Sequence, residues 1–164
     1  MKKLLLLMAF MPCFLHCLKA KDIKPYVQQN LMFYQSDRIT MGGFGGSIGA
    51  KAELGEHVFS SAEIGILWAN GNAIPTTFSI GYHKSGVWQP AVIGNITLLW
   101  GQRTEILNDA GERPIIPLYT AGLKLAPLRY NIKGSVFSTL ELGYGIGPYK
   151  GSCYSLTVLS ANLW

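Results

Sequence analysis

The feature that most constrains this chain is a strict two-residue alternation of polarity that recurs in segment after segment. Across 58–69, Val58, Ser60, Ala62, Ile64, Ile66 and Trp68 share one parity, while Ser61, Glu63 and Gly65 hold the other. Thr76, Phe78, Ile80 and Tyr82 face Thr77, Ser79, Gly81 and His83 in the same way. Tyr119, Ala121, Leu123 and Leu125 oppose Thr120, Gly122 and Lys124; Leu140, Leu142, Tyr144 and Ile146 oppose Thr139, Glu141, Gly143 and Gly145. Successive side chains of a strand point to opposite faces, so this period predicts β-structure. Eight strands are expected, over 24–35, 44–54, 58–69, 76–84, 89–101, 117–126, 134–146 and 153–164, each bounded by Gly, Pro, Asn, Asp or Ser.

Two architectures accommodate one apolar and one small, polar face. A soluble sandwich buries the apolar face, whereas a membrane barrel turns it to lipid and keeps the polar face inside. The aromatic residues decide between them, because indole and phenol rings favour the membrane–water boundary. All four tryptophans sit at strand ends. Trp68 and Trp100 mark one edge, joined by Tyr119, Tyr144 and Tyr154; Trp88 and Trp164 mark the other, joined by Tyr26, Tyr82 and Tyr130. Two aromatic girdles around an all-β, single eight-stranded antiparallel transmembrane barrel are therefore expected.

The front of the chain reads as a leader. Lys2 and Lys3 precede an apolar run from Leu4 to Leu15, too short to span a bilayer as a helix and of the length of a secretory h-region. Cleavage is expected after Ala20, giving a signal peptide over 1–20 and a barrel over 21–164; the alternative is a lipoprotein cut before Cys17. Removing Lys2, Lys3 and Lys19 lowers Lys+Arg from 14 to 11 against 9 Asp+Glu, so the net charge falls from +5 to +2. Nucleic-acid binding thus gains no support from the basic balance. Cys153 is the one cysteine securely in the mature chain, which excludes an internal disulfide.

Connection lengths fit a barrel with both termini in the periplasm. Short turns are expected at Gly55–His57, Ser85–Trp88 and Pro127–Lys133, and outer loops at Ser36–Gly43, Asn70–Pro75, Gln102–Ile116 and Gly147–Ser152. The chain accordingly resembles the eight-stranded outer-membrane barrels, the OmpA-, OmpX- and OmpW-like proteins of double-membrane bacteria. The resemblance lies in architecture and in the final aromatic, Trp164, with Tyr154, Leu156 and Val158 on its parity. Ser160 and Asn162 also share that parity, and Leu159 and Leu163 fall on the opposite face, which a bulge would explain. The resemblance implies recognition of the last strand by the barrel-assembly machinery, contact with outer-membrane lipid and lipopolysaccharide, and a bacterial outer-membrane location.

Parity turns Lys51, Glu53, Glu63, His83, Lys124 and Glu141 into the lumen. An eight-stranded barrel is just wide enough for side chains to fill it, and enclosed charges must be paired, so a structural plug is expected rather than an open channel. The expected function is a surface-exposed scaffold whose outer loops are available to an extracellular ligand. No enzyme activity, cofactor or metal is expected. The alternatives are a narrow pore or apolar-solute conduit and a lipid A-modifying barrel. The last would use His83 and Ser85, which share a strand face, although no carboxylate follows to orient the histidine. The charged stretch Gln102–Ile116 reads as a solvated loop. Gly42, Gly43, Gly45, Gly46 and Gly49 lack the Gly-Lys-Ser/Thr ending of a phosphate loop and read as the start of a strand.

Overall fold

The computed structural model describes residues 23–69, 73–101 and 117–163. Nine strands follow in chain order: β1 (Ile23–Gln35), β2 (Thr40–Glu53), β3 (Val58–Ala69), β4 (Ala73–His83), β5 (Ala91–Gly101), β6 (Leu118–Ala126), β7 (Leu128–Ile132), β8 (Ser135–Gly147) and β9 (Gly151–Asn162). Every pairing is antiparallel. Neighbours run from β1 through β6, β6 and β7 both pair with β8, and β9 pairs with β8 and β1, so the sheet closes. Leu125 pairs with Leu142 and Leu128 with Thr139, one continuous register either side of Pro127. β6 and β7 are thus a single stave interrupted at a proline, which has no N–H for the ladder, and the barrel has eight staves. Closure leaves no strand edge, as a strand-built structure in hydrocarbon requires.

The wall is apolar on the outside. Phe44, Ile48, Ile64, Ile66, Ile80, Val92, Leu123, Leu125, Leu142 and Ile146 all point outward and are exposed. A band of this extent is an interaction surface, and on a closed barrel with a polar interior its natural solvent is lipid. Trp68, Trp88, Trp100, Tyr82, Tyr119 and Tyr144 are likewise exposed on the outside, at strand ends or in the adjoining turn. Trp164 lies outside the described residues, as do the leader expected over 1–20 and the charged loop 102–116.

Several expected boundaries move. β2 begins at Thr40, so the glycine cluster lies within a strand and the first loop shortens to 36–39. Gly45 faces the lumen where β2 meets β3, and a Cβ there would stand 1.8 Å from the Ile66 carbonyl oxygen; only glycine permits this approach. The expected turn Pro127–Lys133 is largely strand, because Leu128-Arg129-Tyr130-Asn131-Ile132 keeps alternating and pairs with β8. Tyr26, expected in a girdle, is 3% exposed and lies in the lumen, since β1 turns its even residues inward.

The last strand shows why its parity looked mixed. On β9, Thr157 and Ser160 are both buried, whereas Val158 and Leu159 are both exposed. Leu159 pairs with Gln29 but Thr157 with Asn30, so the register against β1 shifts by one residue at Val158. The bulge sends Leu159 and Leu163 outward and Ser160 inward. Adjacent strands carry the same fault: Leu140, at φ 64°, stands between the pairs Thr139–Leu159 and Glu141–Thr157, and Pro127 is opposite it. One line of irregularity crosses three staves and reverses their parity on the way to the end that holds Ile23 and Asn162. That end, closed by short turns, is called the turn end below, and the other the loop end.

Candidate functional site: the barrel lumen

The interior is layered along its axis. At the loop end Tyr34, Leu67, Ala73, Leu99, Leu118 and Cys153 form a buried apolar collar. At the turn end Phe59, Ala91, Ile93 and Ala126 form a second. Polar side chains fill the space between and beside them, where the alternation of each strand places them.

A hydrogen-bonded chain crosses four staves in the middle. Thr157 Oγ1 donates to Asn30 Oδ1 (2.8 Å) and Asn30 Nδ2 donates to Ser47 Oγ (3.2 Å). Ser47 Oγ in turn donates to Glu63 Oε2 (3.3 Å), which also accepts from the Tyr26 hydroxyl at 2.7 Å. A charged acceptor, a buried donor and a short distance make this last bond the strongest of the set. Across the lumen Thr77 and Thr97 bond at 2.9 Å. Gly49 makes the arrangement possible: a Cβ there would stand 2.9 Å from Tyr26 Cε1 and 2.8 Å from Glu63 Cβ.

Toward the turn end the charges interlock. Arg129 is 1% exposed, its guanidinium 4.7 Å from the centroid of the Phe59 ring. Lys51 Nζ lies 5.0 Å from the Phe59 and Tyr26 ring centroids alike. Phe59 thereby receives two cations, contacts that gain strength when desolvated. Arg129 Nη2 reaches Glu53 Oε1 at 3.8 Å, and His83 Nε2 reaches Glu53 Oε2 at 3.5 Å. His83 Nδ1 donates to the Lys84 carbonyl at 3.0 Å. Glu141, also buried, is near enough to Lys51 and Arg129 to act on their charges. Lys124 is buried on the lumen side of β6.

The six charged residues singled out in the sequence therefore all face the lumen, but not as one cluster. Lys51, Glu53, His83 and Glu141 belong with the turn-end group; Glu63 belongs to the central chain, and Lys124 lines the cavity beside it. Sequence reading missed Arg129, Phe59 and Tyr26, which hold that group together. The signal for Arg129 was a fresh alternation beyond Pro127, Leu128-Arg129-Tyr130-Asn131-Ile132, with the inward parity switched from even to odd. His83 and Ser85 do not meet: His83 turns to Glu53, while Ser85 Oγ bonds His57 Nδ1 at 3.2 Å in an exposed turn. Among the described residues no group of His, Cys, Asp and Glu is placed to hold a metal.

Among the described residues, the polar interior lines small cavities. A cavity of about 40 Å³ lies between Glu63, Thr77, Thr97, Thr120 and Lys124, and a second of about 10 Å³ beside Tyr34 and Met41. The first has room for about three waters among polar partners.

Comparison with known proteins gives the fold independently. No protein-family model matches the chain, and no curated protein matches its sequence. Among solved structures it is similar to Neisserial surface protein A, with a TM-score of 0.64 at 9% identity over 87% of this chain and 97% of that one. It is also similar to the N-terminal β-barrel domain of Pseudomonas aeruginosa OprF, with a TM-score of 0.52 at 19% identity over 87% and 100%. A weaker likeness, TM-score 0.42 at 8% identity over 85% and 96%, is to the Yersinia pestis attachment invasion locus protein, solved with the heparin analogue sucrose octasulfate. With its closed ring, apolar wall and polar, filled lumen, the chain has the fold of the eight-stranded outer-membrane barrels.

Proposed function

We propose that this protein is a non-enzymatic surface scaffold of the bacterial outer membrane, its turn end in the periplasm and its loops outside. The observation that carries this reading is a lumen closed by its own side chains: apolar collars near both ends and an interlocked polar layer between them. An eight-stranded barrel is just wide enough for its own side chains, so the barrel's role is to hold its ends in place across the membrane. The apolar wall meets lipid and lipopolysaccharide chains, and β9, the last strand, is the segment offered to the barrel-assembly machinery.

What the scaffold holds out is a fixed loop platform. Ser36 Oγ accepts from the Arg38 and Ile39 amides at 3.2 and 2.9 Å, closing the 36–39 turn on itself. The Asp37 amide donates to the Tyr149 carbonyl at 3.4 Å, and Arg38 stacks 4.8 Å from the Tyr149 ring centroid. The Tyr34 hydroxyl donates to the Pro148 carbonyl. The 36–39 and 148–150 loops are thereby joined to each other and to the top of β1. Neighbouring loops fixed to a rigid barrel form a surface suited to an extracellular ligand.

Two measurements test the proposal. In planar bilayers the purified protein is expected to give no stable conductance steps; steps altered by Lys124→Ala would establish the narrow-pore alternative instead. In intact cells a membrane-impermeant maleimide is expected to label Lys150→Cys and to leave Lys133→Cys unlabelled until the cells are broken. The opposite pattern would reverse the orientation.

A further inference from the structure

The lipid-facing wall holds one residue that does not belong in hydrocarbon. Gln29 is the seventh of the 13 residues of β1. It faces outward between Val27 and Leu31 and is exposed. It is the one amide or charged side chain on the outward face between the strand ends, among the described residues. Its side chain has no hydrogen-bond partner among them. An amide in hydrocarbon without a partner is strongly disfavoured, because nothing there replaces the hydrogen bonds it makes with water.

The surroundings of Gln29 are shaped. Its neighbour on β2 is Gly46, which also faces outward. A Cβ on Gly46 would come within 4 Å of a single atom, the Gln28 carbonyl oxygen at 3.5 Å, so the space above it is open. Further along, beyond the exposed Ile48 and Ile64, lies the small pair Ala50 and Ala62. On the other side Leu159 rises at the point where the β9 register shifts. Beside the amide there is therefore a shallow notch at Gly46, bounded by Ile48 and Ile66, with a ridge opposite at Leu159.

From this we infer that the β1–β2 wall is a contact surface for a second copy of this chain within the membrane. A carboxamide carries donors and an acceptor together, so across a two-fold axis each Gln29 donates to the other's carbonyl oxygen and both amides are satisfied. Small residues let two walls approach closely, and in lipid it is close packing and hydrogen bonding, not hydrophobicity, that drive association. The occupant is thus specified by complementarity: an isologous partner supplies the amide that Gln29 lacks, whereas an acyl chain supplies none.

The test uses the full-length protein in a Cys153→Ala background. Oxidation of Gln29→Cys in native membranes is expected to give a cross-linked band of twice the protomer mass. Ile96→Cys, on β5 at the opposite side of the ring, is expected to give none. Energy transfer between labelled copies in lipid vesicles then reads the strength of the contact. Gln29→Leu is expected to raise the dissociation constant about three- to twentyfold, the span typical of hydrogen bonds within a bilayer, while the barrel still folds. Equal cross-linking at both positions, no cross-linking at Gln29→Cys, or unchanged energy transfer with Gln29→Leu would overturn the inference. So would a Gln29→Leu barrel that unfolds more readily yet shows no dimer in the parent protein, since the amide would then be serving its own bulge.

Discussion

Tyr26→Phe is the substitution whose outcome the lumen geometry specifies most tightly. It removes one hydroxyl and changes nothing else in shape. Tyr26 is 3% exposed and Glu63 9%, so the bond is shielded from bulk solvent. The bond removed is 2.7 Å long and ends on a carboxylate oxygen whose other donor, Ser47 Oγ, sits at 3.3 Å. A hydrogen bond to a charged group contributes about 1.5–3 kcal/mol, and the short distance and burial place this one in that range. The unfolding equilibrium is therefore expected to shift by roughly ten- to a hundredfold toward the unfolded chain. The assay is urea unfolding in lipid vesicles, read as the fraction of protein that keeps its compact, fast-migrating form on an unheated gel. A double-mutant cycle isolates the pair: with Glu63→Ala in place, Tyr26→Phe is expected to cost under about 0.5 kcal/mol, because the acceptor has gone. A cost that small in the parent protein, or the same large cost with and without Glu63, would refute the account of the central chain.

Other consequences follow from the same contacts. Glu53→Gln leaves Arg129 and His83 facing each other without their shared carboxylate; a loss of about 1–3 kcal/mol is expected in the same unfolding assay, reduced from the value for a fully enclosed pair because Glu53 is a third exposed. Adding Arg129→Met to Glu53→Gln is expected to recover much of that loss. Gly45→Val drives a side chain into the Ile66 carbonyl and is expected to abolish the compact gel form, whereas Gly46→Ala, which enters open space, is expected to fold. Deleting Val158 would remove the register shift against β1 and leave Leu159 facing lipid and Ser160 the lumen, but Leu140 on β8 would lose the residue opposite it; the barrel is expected to assemble, as judged by retention in alkaline carbonate, and to unfold more readily than the parent.

The parity of the strands was legible because it is a local property: each residue's face follows from its neighbour's. This gave the outward Ile64, Ile66 and Leu123 and the inward Glu63, Lys124 and Glu141 without any knowledge of the sheet. It failed where parity is reset by a partner strand. The bulge at Val158 and the positive φ of Leu140 are settled by pairing between β8, β9 and β1, so Leu159 and Ser160 seemed to lie on the wrong sides. Pro127 misled for a related reason. Proline reads as a stop, yet here its missing N–H is tolerated within a stave, and Arg129 beyond it enters the lumen. Tyr26 shows a third limit. A tyrosine near a strand end fits a girdle by composition, but the even parity of β1 places it inside, against Glu63. Which charges meet was not legible either, because Arg129 and Glu53 are brought together across the ring by closure, not by any spacing in the chain.

The measurement that tests the central claim most directly is heat-modifiability of the full-length protein in isolated outer membranes, combined with a carbonate wash. A closed barrel with a lipid-facing wall and a self-filled lumen predicts a protein retained after the wash and a band that changes mobility on boiling. A protein released by carbonate, with the same mobility boiled and unboiled, would contradict it. The apolar face carrying Ile64, Leu123 and Leu142 would then have to be buried within a soluble β-fold.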